Sequence, residues 1–330
     1  MAKRTIQTCR FYADIPQYLK ALGYYGGSDT PEIWNMNPSQ PEEYEADFLT
    51  NFSFNINNPS KELDQLISNV PQSSTSGIYG AVLGHNLSRT AFTFRTNLRS
   101  EFEYSEIVNY SSGMPEYNGY SLWDITDAGN DENIESLYFT LLSNEPKQIG
   151  AVSFGRWFQP SHSPDLNVEL ISEHEGISTQ TTVGGSSLSN INYLGQPNWG
   201  NLPAWTLEKQ EGHDYNIGAN RQRRTWKISF SYLSDDNIFS KATNENKFFN
   251  YSEDTGQYTF DTSMASFFGL TLNGSLPFLF CPNSNGSDST NNRGDKDLEF
   301  ALCKIDQSSI SYKQVAYQTW NVSLVVMEVW

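Results

Sequence analysis

The sequence has little of the side-chain chemistry on which most enzymes depend. Its 330 residues include only three cysteines and four histidines. Cys9, Cys281 and Cys303 are too few and too scattered for a disulfide framework or a thiolate metal site, so we expect them to be buried as small apolar residues. The histidines form no pair at metal-binding spacing on a helix, and His85 is predicted to lie in a turn between two strands.

Positive charge and long apolar runs are also scarce. Lys+Arg number 21 against Asp+Glu 38, which gives a net charge of −17. Such a surface repels phosphate backbones and anionic lipid, so we expect no nucleic-acid partner. Neither the N-terminal segment nor any later segment has the apolar run of a signal peptide or a membrane span. We therefore expect synthesis and assembly in a cytoplasm, without membrane insertion.

Aromatic residues are abundant. They make up 14% of the chain, whereas charged residues make up 18%, and Asn, Ser and Gly mark frequent turns. This composition predicts a mainly β fold. The clearest strand is residues 221–234, where Trp226, Ile228, Phe230 and Tyr232 alternate with polar residues and are predicted to hold one buried face. Residues 319–330 alternate in the same way, and the two segments are predicted to anchor a sheet.

Turn residues and periodicity predict the remaining organisation. Residues 1–58 are broken by Pro and Gly but rich in aromatics, which predicts an extended N-terminal arm ordered by contact with its own sandwich or with a neighbouring subunit. Residues 59–220 are predicted to form a jelly-roll-like β-sandwich with long loops, and residues 221–330 a C-terminal β domain. Further strands are predicted at residues 78–83, 90–95, 136–142, 149–158, 275–281 and 298–305, and short helices at 59–70, within 234–250 and at 264–270.

Two groups of segments resemble known virion proteins. The run IYGAVLGHNLSRTAFTFR resembles the opening of a jelly-roll sandwich in phage virion proteins that is related to galactose-binding-like folds. The series RRTWKISFSYLS, SLPFLFC and WNVSLVVMEVW is similar to the tail-tip, distal-tail and baseplate proteins of tailed bacteriophages. This likeness covers the C-terminal third well and the middle of the chain weakly.

The resemblance implies a structural protein of the virion tail that forms a ring and supports tail assembly and host attachment. Its partners would be copies of itself and other tail proteins, and no cofactor is implied. A capsid decoration protein is an open alternative, because a fold does not fix a function. Since no catalytic motif is present, we expect no enzymatic activity.

Two sets of residues are candidates for a subunit interface. Arg221, Arg223 and Arg224 stand just before the strongest strand and are predicted to face a carboxylate-rich partner. Trp199 and Trp205 lie in a loop rich in Gly, Pro and Asn, where large rigid rings would serve as anchors for a partner.

The acidic stretch of residues 102–133 is predicted to be one long loop and is the candidate glycan site. Tyr117, Tyr120 and Trp123 would stack on sugar rings. Two carboxylates about 5 to 10 Å apart would suit glycan hydrolysis. Cleavage, binding without cleavage to host surface glycans, and a plain surface loop or interface all stay open. The carboxylates concerned are Glu101, Glu103, Glu106, Glu116, Asp124 and Asp127.

Two weaker motifs remain. Gly184-Gly185-Ser186-Ser187 does not match the Gly-x-Ser-x-Gly elbow of serine hydrolases and predicts a tight surface turn. Residues 283–297 contain Asp288, Asp295 and Asp297, whose oxygens suit calcium, although their spacing does not match a calcium-binding helix-loop-helix.

Overall fold

Antiparallel strands make up most of the regular structure in the described part of this chain, which we describe from a computed structural model. The structure describes residues 9–28, 31–38, 41–44, 50–57, 66, 76–85, 91–98, 104–110, 120–125, 134–142, 147–173, 177–191, 198–199, 202–203, 223–239, 248–252, 257–282, 301–306 and 310–329. No helix within these ranges is long and apolar enough to span a bilayer.

The strands, numbered in chain order, are β1 (Arg10–Asp14), β2 (Tyr25–Gly27), β3 (Glu42–Tyr44), β4 (Thr50–Ile56), β5 (Ser76–Leu83), β6 (Ala91–Leu98), β7 (Tyr104–Tyr110), β8 (Tyr120–Ile125), β9 (Ile134–Leu142), β10 (Lys147–Ile149), β11 (Ala151–Phe158), β12 (Glu169–Glu173), β13 (Ile177–Thr181), β14 (Ser187–Ile191), β15 (Asn198–Trp199), β16 (Leu202–Pro203), β17 (Arg223–Ser234), β18 (Phe249–Ser252), β19 (Gln257–Phe260), β20 (Phe278–Cys281), β21 (Ala301–Ile305), β22 (Ser311–Ala316) and β23 (Thr319–Glu328). The helices are α1 (Ile15–Ala21), a 3-10 turn (Glu32–Trp34), α2 (Asp235–Ile238) and α3 (Met264–Leu270).

The largest sheet has ten strands in the order β12–β17–β23–β21–β20–β1–β11–β5–β8, with β22 added beside β23. The two strands predicted to anchor a sheet, β17 and β23, pair with each other from Thr225 opposite Met327 to Ser234 opposite Thr319. The other edge of β23 is shared by β21 and β22.

A second sheet of five strands, in the order β2–β4–β9–β6–β7, packs against the first. Phe52 and Phe54 of β4 and Phe139 of β9 share one buried core with Phe11 of β1 and Phe154 of β11. Two antiparallel sheets joined by one apolar layer are a β-sandwich. The prediction of a mainly β fold with a β-sandwich and a few short helices is confirmed.

The N-terminal segment is where sequence and structure differ most. Strand β1 lies in the middle of the large sheet, paired with β11 on one side and β20 on the other. Phe11 and Ala13 belong to the main core, whereas Tyr12 enters a second core on the opposite face. These residues therefore form an interior strand and not the predicted extended arm. A strand covered on both faces carries apolar side chains at successive positions, so its sequence shows no alternation. The large sheet draws strands from all three predicted segments of the chain.

Asp14 joins β1 to the helix that follows it. Its Oδ1 accepts a hydrogen bond from the backbone N of Gln17 at 2.7 Å, which caps the N-terminus of α1. Its Oδ2 accepts from the hydroxyl of Ser153 at 2.7 Å and from the backbone N of Phe154 at 3.3 Å. Burial raises the pKa of the Asp14 carboxyl to about 6, against the lowering effect of these hydrogen bonds.

Most predicted elements coincide with observed ones, but the long acidic loop does not. Strands β5, β6, β9, β11, β20 and β21 and helix α3 overlap their predicted ranges. Residues 102–133, in contrast, contain two strands, β7 and β8. The frequent Tyr residues there favour strand pairing in spite of the many charges. The helix predicted at residues 59–70 lies outside the described residues except for Leu66, which is buried.

Candidate functional site

The arginine cluster at the start of β17 is predicted to face a partner, but the structure places Arg224 inside the protein. Its Nη2 lies 2.9 Å from Oε1 of Glu328 and its Nε lies 3.0 Å from Oε2. The backbone N of Arg224 also donates to Oε2 at 3.0 Å. The side chains of Arg224 and Glu328 are 10% and 1% exposed. A guanidinium engaged at two points by a buried carboxylate of its own chain is not available to a partner, so Arg224 is removed from the predicted interface.

The face of β17 and β23 that points away from the core is open to solvent and strongly polar. Val322 and Leu324 point into the core, so Asn321 and Ser323 lie on the outer face. Strand register then sets two transverse rows. Ser229, Ser323 and Ser311 lie side by side on β17, β23 and β22. Asn321 of β23 lies opposite Lys313 of β22. We call this surface the serine face, and it consists of Ser229, Ser231, Tyr232, Ser311, Lys313, Asn321 and Ser323.

Tyr232 stands on this face because β17 contains a β-bulge. The register with β23 shifts between Phe230 and Leu233, and both of these side chains point into the core. Two residues, Ser231 and Tyr232, therefore lie between two inward positions, and Tyr232 is 73% exposed. The prediction that Tyr232 helps to hold the buried face is wrong. The sequence signal was the pair Tyr232-Leu233, which breaks the alternation of the strand.

The backbone of Tyr232 is held in an unusual conformation. Its φ is 61°, in the left-handed region that residues other than glycine and asparagine rarely adopt. Its backbone N donates a hydrogen bond to Oδ1 of Asn321 at 3.1 Å. The amide of Asn321 thus fixes the bulge from the neighbouring strand, while its Nδ2 group donates to none of the described residues.

A loop at the edge of β17 borders the serine face. The backbone N of Asp165 donates to the carbonyl of Ser229 at 2.8 Å. Oδ2 of Asp165 lies 3.0 Å from the hydroxyl of Ser229 and 2.8 Å from that of Ser231. Oδ1 of Asn167 lies 3.0 Å from the same Ser229 hydroxyl. Carboxylate, amide and hydroxyl groups thus converge close to Tyr232.

Aromatic rings cluster on the face of the β22–β23 hairpin opposite the serine face. Phe239, just after α2, lies 5.7 Å from Tyr312 and 5.2 Å from Trp320 between ring centroids. Phe239 and Tyr312 are 41% and 38% exposed. The indole Nε1 of Trp320 donates to Asp235. We call Phe239, Tyr312 and Trp320 the aromatic patch.

The other predicted site residues are only partly placed by the structure. Tyr120 and Trp123 belong to β8, where they lie opposite Leu83 and Gly80 of β5, and the prediction for their side chains falls outside what the structure describes. Tyr117 lies outside the described residues. Among the carboxylates of the predicted loop, Glu106 lies in β7 of the five-stranded sheet and Asp124 in β8 of the larger sheet. A single acidic loop is therefore wrong, because its two ends belong to different sheets.

The structure describes two of the four remaining interface candidates. Arg223 begins β17 opposite Glu173 of β12. Trp199 belongs to the two-residue strand β15, which pairs with β16. Arg221 and Trp205 lie outside the described residues. These four positions stay predictions.

The candidate metal ligands form no metal site in the described part of the chain. Within it, no group of three or more His, Cys, Asp or Glu side chains is arranged to hold a metal ion. Residues 283–297, the calcium candidate, lie outside it. His85 is buried, and burial lowers its pKa to about 3, so the imidazole is neutral at pH 7. All three cysteines are buried thiols, as predicted. The tight turn predicted at Gly184-Gly185 is confirmed between β13 and β14, with Gly185 at φ 82°.

Comparisons with known proteins include a likeness to a solved structure. No family model and no curated protein matches the chain. Among solved structures it is similar to "Truncated AlyQ with CBM32 and alginate lyase domains", with 11% sequence identity and a TM-score of 0.24. The match covers 77% of this chain and 56% of that chain. A likeness at this level assigns no function.

Proposed function

We propose that this protein is a non-enzymatic structural subunit of the tail of a tailed bacteriophage, assembled in the host cytoplasm with copies of itself into a ring. The observation that carries the proposal is the arrangement of the strands in which the resemblance to tail-tip, distal-tail and baseplate proteins resides. Strands β17, β23 and β20, joined by β21, form one continuous block of the large sheet. Segments far apart in sequence are thus neighbours in one structural unit.

The β22–β23 hairpin is the surface that best suits contact between copies. Within the described ranges β22 pairs with β23 alone, and all six of its residues are exposed. An exposed strand edge can extend its hydrogen bonding to another chain. Beside it, the aromatic patch presents Phe239 and Tyr312. Contacts between unlike surfaces of identical subunits close into rings when the rotation between neighbours allows it.

The assembly test uses sedimentation velocity and electron microscopy of the purified protein. Wild type is expected to form a defined ring, and Phe239→Lys is expected to dissociate it, because a charge then enters an apolar contact. Val183→Lys is the matched control, since Val183 is fully exposed in the turn between β13 and β14. A wild-type chain that is strictly monomeric and absent from any particle would contradict the proposal.

Labelling of intact virions with antibodies separates the tail location from the capsid alternative. Label at the tail supports the tail subunit, and label distributed over the capsid supports a decoration protein. The glycan alternative at Tyr117, Tyr120 and Trp123 is tested by Trp123→Ala on a glycan array. Loss of retention with an unchanged circular dichroism spectrum would support that site.

A further inference from the structure

We propose that the serine face, with its bordering residues Asp165 and Asn167, binds a saccharide whose pyranose ring stacks on Tyr232. This surface is distinct from the segment containing Tyr117, Tyr120 and Trp123, and the proposal does not depend on whether the protein is a tail subunit.

The first reason is the state of Tyr232. The residue is 73% exposed, and its backbone is held at φ 61°. A left-handed conformation at a residue with a bulky side chain is strained. Exposure of the ring to water adds no compensating burial. The bulge exposes the ring on a strained backbone that Asn321 fixes. Contact between the ring and a ligand would account for this arrangement.

The second reason is the chemistry beside the ring. Asn321 has two amide N–H donors on Nδ2 that bind none of the described residues, and Ser311 and Ser323 carry exposed hydroxyls. Asp165 and Asn167 supply acceptors already oriented by Ser229 and Ser231. Neighbouring strands are about 4.8 Å apart, and rows two residues apart are roughly 7 Å apart. These spacings are comparable to those between hydroxyl groups on one sugar ring and on the next.

The third reason is the fit of the ligand class. Sugars combine an apolar ring face with a rim of hydroxyls that both donate and accept, which matches an exposed tyrosine beside amide, carboxylate and hydroxyl groups. A protein partner would be expected to meet a more continuous apolar centre. The net charge of −17 disfavours nucleic acid. A saccharide is therefore the occupant that the surface favours.

Lys313 distinguishes two sources of the same pyranose chemistry. It lies opposite Asn321 on β22, exposed and without an ion pair to any of the described residues. A carboxylated sugar would use its ammonium group, whereas a neutral sugar would not. Lys313→Gln is thus expected to weaken the binding of the carboxylated sugar and to leave the binding of neutral sugars unchanged.

The experiment is saturation-transfer NMR on the full chain with the methyl glycosides of glucose, galactose, mannose and N-acetylglucosamine, and with glucuronic acid. Wild type is expected to transfer saturation to the ring protons of at least one of them. Tyr232→Ala should weaken that binding about tenfold, as expected for loss of one stacked ring. Asn321→Ala should also weaken it, and Tyr317→Ala should not. Tyr317 is the matched control because it is an 85% exposed tyrosine in the turn of the same hairpin.

Two results would overturn the proposal. One is the absence of transfer from wild type to all five sugars. The other is equal binding by wild type and Tyr232→Ala, with near-ultraviolet circular dichroism showing that both are folded. Because ring assembly is measured separately, failure here leaves the proposed structural role untouched.

Discussion

Arg224 and Glu328 form a buried ion pair between the first residues of β17 and the last residue of β23, and the backbone N of Arg224 donates to the same carboxylate. The pair lies beside Cys303 of β21, which is opposite Glu328 in the sheet. It therefore joins β17 to β23 at the point where β23 also pairs with β21. A charge left alone in such a place is poorly solvated, so each partner depends on the other.

The ion pair predicts a large loss of stability on charge neutralisation. Glu328→Gln is expected to lower the free energy of unfolding by about 3 kcal/mol, because it leaves the guanidinium of Arg224 buried without its counter-charge. Urea denaturation followed by circular dichroism measures the change. Lys227→Gln is the control, since its pair with Glu169 is 3.0 Å long but about half exposed and should contribute less than about 1 kcal/mol. Equal effects of the two variants would contradict the role given to burial.

The same pair determines what charge reversal in the arginine cluster should do. Arg224→Glu would place two carboxylates together in the core, so it is expected to unfold the isolated subunit. Arg221→Glu and Arg223→Glu, by contrast, are predicted to impair assembly before folding. Sedimentation velocity and circular dichroism of the three variants separate the two effects.

Gly155 of β11 is predicted to tolerate no side chain. It lies opposite Asp14, and a Cβ added to it would lie 1.9 Å from the carbonyl oxygen of Ala13. Since that contact is with backbone, Gly155→Ala must push β1 away from β11 and is expected to destabilise by about 3 kcal/mol. Gly184→Ala is the control, because its Cβ would have nothing nearer than 4.0 Å. Thermal melts of the two variants give the comparison, and a Gly155→Ala melt like that of wild type would refute the tight packing.

Asp14 predicts that stability falls as the pH rises from about 4 to about 6. The pKa of an unperturbed aspartate carboxyl is 3.8, and that of Asp14 is about 6 in the folded protein, because burial disfavours the charge. Between these values only the folded state holds the proton, so the folded state is favoured at the acidic end of the window and loses that advantage as the pH rises. The loss amounts to about 3 kcal/mol. Urea midpoints of wild type and Asp14→Asn across this range should diverge, and parallel curves would show that Asp14 does not titrate there.

Tyr232→Gly should stabilise the fold. Glycine adopts φ 61° without strain, so the substitution is expected to raise the free energy of unfolding by about 1 kcal/mol. The hydrogen bond from the backbone N to Asn321 is kept. Urea denaturation measures the gain, and a loss of stability would show that the ring supports the fold after all. Gain of stability with loss of saccharide binding is the combination expected of a site where strain serves function.

Local patterns in the sequence were enough to predict the class of the fold and eight of the 23 strands that the structure describes. Alternation in Trp226, Ile228 and Phe230 reflects the side-chain period of a strand, which is local and therefore legible in one segment. The short helix α3 and the burial of the cysteines could be predicted for the same reason. Scarce cationic residues and the lack of a catalytic motif in the sequence also narrowed the expected function to structural and binding roles.

Which strands meet, and which side chains face water, depends on pairing between distant segments. Strand β1 reads as an irregular segment because both of its faces are covered by distant parts of the chain, and such coverage leaves no alternation. From the sequence alone Arg224 is predicted to be a surface cation, and only the pairing of β17 with β23 places Glu328 beside it. The bulge that turns Tyr232 outward depends on pairing with β23, and its hydrogen bond to Asn321 spans 89 residues of sequence. Long-range pairing sets these features, and local alternation alone does not show which distant segments meet.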